Sequence, residues 1–346
     1  MSKTLQDYAT LINDTIQSNE INHYITTDNM CQNLGGIDTF KNINIPQGKV
    51  RSFQKDDVLL SNIRLYFRKV YRAKQKGGCS SDVLVFRAKH IDSATLFAIL
   101  SSQIFTDYAC SGSQGSKMPR GNKTHMMDFK IPTINFTIAK IFNSIQNKIE
   151  NNHKINELLH TLAYKIYEYY FKYKPKNAKL EQIIVENPKS NIMVKNAQKT
   201  QDKYPFFTSG DNILSYPKAI IDGRNCFLNT GGNAGIKFYV GKASYSTHTW
   251  CICANEFSNY LYLLLSSIKT HINQSFFQGT SLKHLQKNLL KKYPIYMPSV
   301  HEIKKFNQII MPLLTLISIN TRTSKKLEQI RDFLLPLLLK QQVKPQ

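Results

Sequence analysis

Two different patterns of hydrophobic and polar positions alternate along the chain, and each pattern occurs twice. In residues 134–173 apolar side chains recur at steps of three and four with few glycines or prolines, and the same spacing returns in residues 300–339. This period is typical of an amphipathic α-helix. The pattern therefore predicts two long helices, each on the order of 55–60 Å long at about 1.5 Å per residue.

The apolar stripes of these two helices are predicted to pack against each other, because a single helix of that length cannot bury its stripe alone. Pro312 is expected to kink the second helix or to mark a join between two helices. Both helices turn polar midway, at NNHK (151–154) and SINTRTSKK (318–326), which predicts a softer or partner-facing zone. The predicted packing residues are Ile138, Ile141, Ile145, Ile149, Leu159, Leu162, Ile166, Ile303, Phe306, Ile310, Leu313, Ile317, Leu327, Ile330 and Leu334.

The region before each helix alternates short apolar stretches with clusters of glycine, asparagine and serine. DVLVF (82–86) and TWCIC (249–253) are predicted to be buried strands, and LFAILSS (96–102) and LYLLLSS (261–267) short helices. Each region is therefore predicted to be a mixed α/β module of roughly 130 residues.

The two modules are similar in sequence. Residues 57–86 align with residues 225–252, so that Leu60 matches Leu228, Lys69 matches Lys237 and the segment CSSD (79–82) matches YSTH (245–248). The first module carries an additional stretch, CQNLGGIDTF (31–40). We expect an internal repeat in an α+β fold: two similar modules, at residues 1–132 and 176–297, separated by helices at 133–175 and 298–346 that pair as a coiled-coil spacer with pseudo-twofold symmetry.

The charge balance favours a polyanionic partner. The chain has 346 residues with 46 lysines and arginines against 23 aspartates and glutamates, a formal net charge of +23. Neutralising phosphates releases condensed counterions, which drives binding to nucleic acid. A bias toward asparagine, isoleucine and lysine, as an AT-rich genome imposes, is the alternative source of this charge.

The cysteines and the apolar runs predict a soluble, cytoplasmic, reduced protein. The six cysteines are scattered, and Cys251 and Cys253, the one close pair, lie in an apolar run that predicts buried thiols rather than metal ligands. The start MSKTLQDYATLIND has no apolar signal-peptide core. The longest apolar run, residues 309–319, is too short to cross a bilayer.

Motifs for enzymatic chemistry are missing from the sequence. There is no GxxxxGK[ST] phosphate loop and no HExxH, and the glycine-rich NTGGNAGIK (229–237) lies between two predicted strands. ENPKSN (186–191) lacks the second proline and the aromatic residue with which adenine methyltransferases hold a flipped base. Cys79, Ser80 and Ser81 have no histidine and acid pattern nearby. We predict no catalytic residues, no metal site and no cofactor bound by this chain.

DNA recognition is the remaining hypothesis for the function of the chain. In DNA-binding proteins basic side chains contact phosphates and guanine, while amides, hydroxyls and carboxylates read base edges. The candidates in the first module are Asn62, Arg64, Arg68, Lys69, Arg72, Ser80, Ser81, Asp82, Lys117 and Arg120. The candidates in the second module are Thr208, Ser209, Asn212, Asn229, Thr230, Asn233, Lys237, Ser246, Thr247, His248 and Lys283. Each residue taken singly also fits a turn-forming or solvated role.

This layout resembles the specificity (S) subunits of type I restriction-modification systems along essentially the whole chain. In the first half, the resemblance rests on GSKMPRGNKTHMMDFKIP (115–132) and LAYKIYEYYFKY (162–173). In the second half it rests on YPFFTSGDNI (204–213), FLNTGGNAGIKFY (227–239), ASYSTHTWCI (243–252), FFQGTSLKHLQKNLLKKYPIYMP (276–298) and LEQIRDFLLPLLL (327–339).

The resemblance implies that each module is a target recognition domain that reads one half of a split double-stranded DNA sequence. It also implies antiparallel spacer helices that set the gap and dock two methyltransferase (M) subunits, which are joined by restriction (R) subunits. S-adenosylmethionine, ATP and Mg²⁺ would belong to those partners. His248 departs from the pattern, which favours an acid there, as at Asp82. An adaptor built on a helical rod, or an RNA-binding protein, remains the alternative.

Overall fold

A computed structural model of the chain describes residues 3–38, 43–197, 203–210 and 213–339. The chain divides into two compact units, Met1–Glu150 with Leu327–Gln346 (unit 1) and Asn151–Lys326 (unit 2). Both boundaries fall inside the two long helices predicted from the apolar period. Each unit therefore contains one module together with a stretch of each long helix.

Two four-stranded sheets form the centre of unit 1. Its strands are β1 (Ala9–Ile12), β2 (Thr15–Gln17), β3 (Tyr24–Ile25), β4 (Lys49–Phe53), β5 (Val58–Ser61), β6 (Val70–Arg72), β7 (Gly77–Cys79) and β8 (Val83–Ala88). One sheet has the order β1-β8-β5-β6 and is antiparallel throughout. The other has the order β2-β4-β7-β3, in which β3 and β7 are parallel.

Helices pack on these sheets and begin at side-chain caps. The helices that start in unit 1 are α1 (Leu5–Tyr8), α2 (Ser93–Leu100), α3 (Gln103–Ser111), α4 (Lys123–Met127) and α5 (Phe136–Tyr167). The side chains of Asp92, Ser102 and Asn122 accept the backbone N–H groups that the first turns of α2, α3 and α4 leave unpaired. Helix α2 is buried along its length and belongs to the apolar core of the unit.

One sheet of unit 2 has the same strand order as a sheet of unit 1. Its strands are β9 (Ala178–Lys179), β10 (Val185–Glu186), β11 (Tyr204–Phe207), β12 (Leu214–Tyr216), β13 (Arg224–Asn229), β14 (Ile236–Val240), β15 (Ser244–Tyr245), β16 (Thr249–Cys253), β17 (Phe277–Gln278), β18 (His284–Leu285) and β19 (Pro294–Ile295). The sheet β10-β16-β13-β14 corresponds strand for strand to β1-β8-β5-β6. In the sheet β12-β11-β15, β11 and β15 are parallel, as β3 and β7 are.

The helices that start in unit 2 are α6 (Ser258–Ser267), α7 (Lys269–Ser275), α8 (Lys287–Lys291) and α9 (Val300–Leu338). A π-helical turn, Glu168–Lys172, continues α5, and its Phe171 packs edge-on against Phe306 of α9 with ring centroids 4.9 Å apart. Farther along, Asn152 of α5 donates to Ser324 of α9 at 3.1 Å. The two helices therefore run antiparallel within this unit.

The predicted strands 82–86 and 249–253, and the predicted helices at LFAILSS and LYLLLSS, are confirmed as β8, β16, α2 and α6. The mixed α/β class is confirmed as well. Helix α9 is continuous through Pro312, so the alternative of a join there is wrong. Cys251 is buried as predicted, but Cys253 is only half-buried because it ends its strand.

Part of the polar middle of the long helices is buried within unit 2. Asn152 and Ser324 are each 2% exposed and bond to each other. Asn156 donates to the Ile317 carbonyl and accepts from Asn320. Polar side chains thus pair across the two helices at these positions, whereas Asn151, Arg322 and Thr323 in the same segments are exposed, and the prediction of a partner-facing zone stays a prediction.

The predicted packing stripe is buried in part. Ile149, Ile303, Phe306, Ile310 and Ile317 are buried, whereas Ile141, Leu162 and Ile330 are 43%, 49% and 49% exposed. The half-buried members are Ile138, Ile145, Leu159, Ile166, Leu313, Leu327 and Leu334. The buried faces of the long helices lie against the modules as well as against the other helix. The buried residues therefore do not form the single helix–helix stripe that we predicted.

Candidate nucleic-acid interface

The turn between β7 and β8 in unit 1 is held by three backbone hydrogen bonds. The N–H of Ser80 donates to the Ile25 carbonyl at 2.9 Å, and the N–H of Val83 donates to the Ser80 carbonyl at 3.0 Å. The N–H of Asn62, just after β5, donates to the Asp82 carbonyl at 2.8 Å. The turn is therefore fixed to the ends of two neighbouring strands.

The turn between β15 and β16 in unit 2 has the same three bonds at the aligned positions. Ser246 donates to the Phe207 carbonyl at 2.9 Å, and Thr249 donates to the Ser246 carbonyl at 3.0 Å. Thr230, just after β13, donates to the His248 carbonyl at 3.2 Å. The alignment of CSSD with YSTH made from the sequence thus matches the backbone geometry.

A third segment completes the arrangement in each unit. In unit 1, Arg64 donates through its backbone to the Pro119 carbonyl at 2.9 Å, and Gly121 donates to the Asn62 carbonyl at 3.2 Å. In unit 2, Gly232 donates to the Lys283 carbonyl and Leu285 to the Thr230 carbonyl, at 2.9 and 3.0 Å. We call these segments the loop frame of each unit: residues 62–64, 80–83 and 119–121 in unit 1, and 230–232, 246–249 and 283–285 in unit 2.

The loop frame of unit 1, together with Lys117 just before its third segment, brings together seven of the ten candidates predicted there. Arg120 forms a salt bridge with Asp82 at 3.0 Å, and its side chain is 62% exposed. Arg64 donates from Nη2 to the Lys117 carbonyl at 3.2 Å. Ser81 and Lys117 are exposed. The seven candidates are Asn62, Arg64, Ser80, Ser81, Asp82, Lys117 and Arg120.

The other three candidates of unit 1 bond inside the fold. Arg68 donates to the Ser101 carbonyl at 2.9 Å, and burial lowers the pKa of its guanidinium. Lys69 donates to the Thr27 carbonyl. Arg72 lies 3.8 Å from Asp56 and extends from β6 rather than from the loop frame. All three residues lie outside the loop frame, and Arg68 and Lys69 are bound to backbone carbonyls of unit 1.

The loop frame of unit 2 converges on the carbonyl of His248. That oxygen accepts from Thr230 Oγ1 at 2.8 Å and from Ser209 Oγ, in addition to the backbone N–H of Thr230. The imidazole of His248 and the side chain of Lys283 are exposed, and Thr247 is half-buried. Asn233 is exposed as well, so the exposed candidates among the described residues of unit 2 are Asn233, His248 and Lys283.

Asn229, Lys237 and Ser246 hold the frame of unit 2 in place. Lys237 donates to the Thr208 carbonyl at 2.9 Å and to Asn229 Oδ1 at 3.3 Å, while Asn229 Nδ2 donates to the Asn233 carbonyl at 3.1 Å. Ser246 is fully buried and shares a hydrogen bond with Thr249. Asn212 lies outside the described residues.

A cavity of about 280 Å³ beside this frame was not predicted from the sequence. Its lining includes Thr230, Thr247, Trp250 and Lys287, whose ammonium lies 5.2 Å from the Trp250 ring centroid. Burial lowers the pKa of Lys287. The lysine follows the second module's Gln-Gly-Thr segment by a few residues, but nothing in that spacing indicates that it meets Trp250.

The described residues contain no group of three or more side chains that could hold a metal ion. No helix among the described residues is long and apolar enough to span a membrane.

Comparison with known proteins gives a domain match for the second half of the chain and a similar fold for the whole chain. The family model of the type I restriction modification DNA specificity domain matches residues 176–329. The chain is similar to the type I restriction-modification system S subunit from M. genitalium, with 14% identity and a TM-score of 0.62 over 99% of this chain and 96% of that one. The HsdS subunit from Thermoanaerobacter tengcongensis is 13% identical over 98% of this chain and 96% of that one, with a TM-score of 0.37.

No curated protein sequence matches the chain. The matched residues begin before β9 and end in the last part of α9. They include the loop frame of unit 2. The similarity in fold extends over the first half, where the sheet β1-β8-β5-β6 repeats the strand order of β10-β16-β13-β14. Residues 176–329 therefore match the type I restriction modification DNA specificity domain, and the chain as a whole is similar in fold to the S subunit from M. genitalium.

Proposed function

We propose that this chain is the non-catalytic subunit that gives a type I restriction-modification complex its DNA sequence specificity. In this proposal residues 1–132 and 176–297 are two target recognition domains, each reading one half of a bipartite double-stranded DNA target. The observation that carries the proposal is the pair of loop frames, because one backbone arrangement presents different side chains in the two units. A repeated frame with different side chains suits a target whose two halves differ in sequence.

Binding would begin with phosphate contacts from basic side chains, which position the modules on DNA. The net charge of +23 and the exposed Lys117 and Lys283 supply such contacts. Polar side chains of the loop frames then select bases in a groove. At the matched position, the carboxylate of Asp82 would accept from cytosine, whereas the imidazole of His248 would favour another base.

The long helices would set the gap between the two halves as an antiparallel spacer and would dock two M subunits. Exposed apolar side chains on α5 and α9 support a docking role, since Leu158, Leu162 and Phe333 are 60%, 49% and 71% exposed. Methyl transfer, ATP hydrolysis and cleavage would then belong to the M and R subunits, with S-adenosylmethionine, ATP and Mg²⁺ bound there. A DNA partner of this kind would place the protein in the cytoplasm.

A genome-wide map of adenine methylation tests the proposal in the host with this gene intact and with it deleted. We expect one split motif, of the form half, gap, half, to lose methylation on deletion while all other motifs keep it. An unchanged map, in a host where the chain is expressed and co-purifies with an M subunit, would contradict the proposal. Retention of the chain on RNA rather than duplex DNA in a salt-sensitive manner would favour the RNA-binding alternative.

A further inference from the structure

Arg64 occupies a backbone conformation that favours glycine. Its φ and ψ are 50° and 60°, in the left-handed region. The aligned residue of the second loop frame is Gly232, with a φ of 81°. No heavy atom lies within 4 Å of the place where a Cβ on Gly232 would stand, so conformation rather than space accounts for that glycine. An arginine at the same point of the frame therefore carries backbone strain that glycine would avoid.

The side chain of Arg64 is held in one orientation. Its Nη2 donates to the Lys117 carbonyl at 3.2 Å, and its Cζ lies 5.9 Å from the centroid of the Phe67 ring. Its Nε is buried without a hydrogen-bond partner among the described residues, and so is Oδ1 of Asn62 in the same loop frame. Few buried polar atoms in a folded protein lack a partner. Among the described residues Nε of Arg68 and Nε of Arg72 also lack one, so Arg64 shares this feature with two arginines outside the loop frame.

Arg64 differs from Arg120, its neighbour in the frame, in the charge that surrounds it. The guanidinium of Arg120 is paired with the carboxylate of Asp82. Among the described residues, no carboxylate forms a salt bridge with Arg64. The surface beside Arg64 is apolar as well as basic, because Tyr66 and Met118 are 53% and 54% exposed. An unpaired guanidinium flanked by exposed apolar side chains suits the edge and face of a base better than a phosphate in water.

We propose that Arg64 is a specificity-determining residue of unit 1 that reads a guanine in one half of the target. This inference rests on the proposed function of the chain. The Nη1 and Nη2 edge of a guanidinium presents two parallel N–H donors, which match O6 and N7 of guanine in the major groove. The contact with Lys117 uses one hydrogen of Nη2, which leaves the second hydrogen of Nη2 and both hydrogens of Nη1 for the base.

The strained backbone of Arg64 favours a contact with a base edge over a contact with a phosphate. A flexible, solvated lysine such as Lys117 can reach a phosphate without a fixed orientation. Reading a base edge requires that the plane of the fork be set before binding, and the left-handed backbone and the Phe67 ring set it here. The second unit has glycine at this point, so we expect its half of the target to be read by other side chains.

The test uses the purified complex of this chain with its M subunits, in wild-type form and with Arg64→Gly, Arg64→Lys and Lys117→Ala. Binding is measured at constant salt to duplexes that carry the methylated motif, with each base pair replaced in turn. For Arg64→Gly we expect discrimination at one G·C pair of one half-site to fall by about 5- to 150-fold, while the other positions keep theirs. Arg64→Lys should show an intermediate loss, because an ammonium lacks the planar fork.

Lys117→Ala is the matched control, since Lys117 lies in the same surface and carries the same charge. It should weaken binding to all duplexes alike and reduce the salt dependence. A uniform loss for Arg64→Gly as well would assign Arg64 to a phosphate and overturn the inference. Unchanged discrimination at every position would overturn it too.

Thermal unfolding of the same samples separates recognition from folding. Arg64→Gly relieves the left-handed strain, so we expect its unfolding midpoint to be equal to that of the wild type or higher. A lower midpoint together with loss of binding to every duplex would assign Arg64 a structural role and overturn the inference. Absence of sequence preference in the wild-type complex would instead contradict the proposed function of the chain.

Discussion

The hydrogen bond between Asn152 and Ser324 provides a sharp test of how the long helices are held together. Both side chains are 2% exposed, and the amide Nδ2 lies 3.1 Å from the hydroxyl Oγ. We replace Ser324 by alanine, which removes the acceptor and leaves a buried N–H group unpaired. Such a group costs about 1–3 kcal/mol, more than the net value of the hydrogen bond itself.

The expected loss is visible in thermal unfolding. For a unit of the size of residues 151–326, about 1 kcal/mol shifts the midpoint by roughly 2–4 °C. Ser324→Ala should therefore lower the midpoint of unit 2 by about 2–12 °C. Thr323→Ala is the matched control, because Thr323 is exposed on the same turn of α9 and should change the free energy of unfolding by less than about 0.5 kcal/mol.

A second substitution distinguishes an unpaired amide from a simple loss of packing. Adding Asn152→Leu to Ser324→Ala removes the unpaired group, so the double variant should recover part of the stability that the single variant lost. The coupling between the two sites should be at least about 0.5 kcal/mol. If the two substitutions are additive, or if Ser324→Ala is as stable as Thr323→Ala, the buried hydrogen bond does not stabilise the helix pair and our reasoning is wrong.

Three further predictions concern recognition, packing and pH. Exchange of residues 176–297 for another recognition module should change one half of the methylated motif, and a change in both halves would contradict the assignment of one module to one half. Phe171→Ala should lower the free energy of unfolding by about 3–5 kcal/mol because the ring is buried, whereas Tyr169→Ala should leave it almost unchanged because that side chain is 87% exposed. Equal losses of stability for the two variants in urea unfolding would refute this prediction. The Lys174 ammonium lowers the pKa of Glu302 from 4.5 to about 2, so the stabilising contribution of the Glu302 carboxylate is present above pH 4.5 and is lost as the pH falls toward 2. Glu302→Gln should therefore lower the free energy of unfolding by less than about 1 kcal/mol at neutral pH. If the difference in stability between this variant and the wild type fails to shrink in acid, the result would count against the ion pair.

The sequence was sufficient for the elements and for their duplication. Apolar positions report the local period directly, so the strand at 249–253 and the long helices were found where the structure has them. The alignment of Asn62 with Thr230 and of Asp82 with His248 came from matched apolar runs, and matched backbone hydrogen bonds support it. Such local patterns can be recognised from the sequence because each one is set by residues near each other in the chain.

The sequence was not sufficient to tell which polar residues face outward. Lys69 and Lys237 carry the charge expected of phosphate contacts, yet each donates to a backbone carbonyl of its own module. The acceptor of Lys237 is the carbonyl of Thr208, which directly follows β11, whereas Lys237 is in β14. A basic side chain and its internal acceptor leave no periodic trace when they lie far apart in sequence, so composition treated both lysines as surface residues.

The partners of the long helices were likewise decided by the tertiary structure. Arg331, which is 2% exposed, donates to Gln146 at 3.0 Å from the far end of the chain, and Gln146 in turn donates to the Leu34 carbonyl. The helical period placed apolar residues on a face, but it carries no information about which distant residues cover that face. The sequence by itself determined the helices, the strands and their repetition, because these depend on neighbouring residues. Only the folded chain determined which polar groups are buried in pairs and which remain for a ligand, because those pairs join residues that are far apart in sequence.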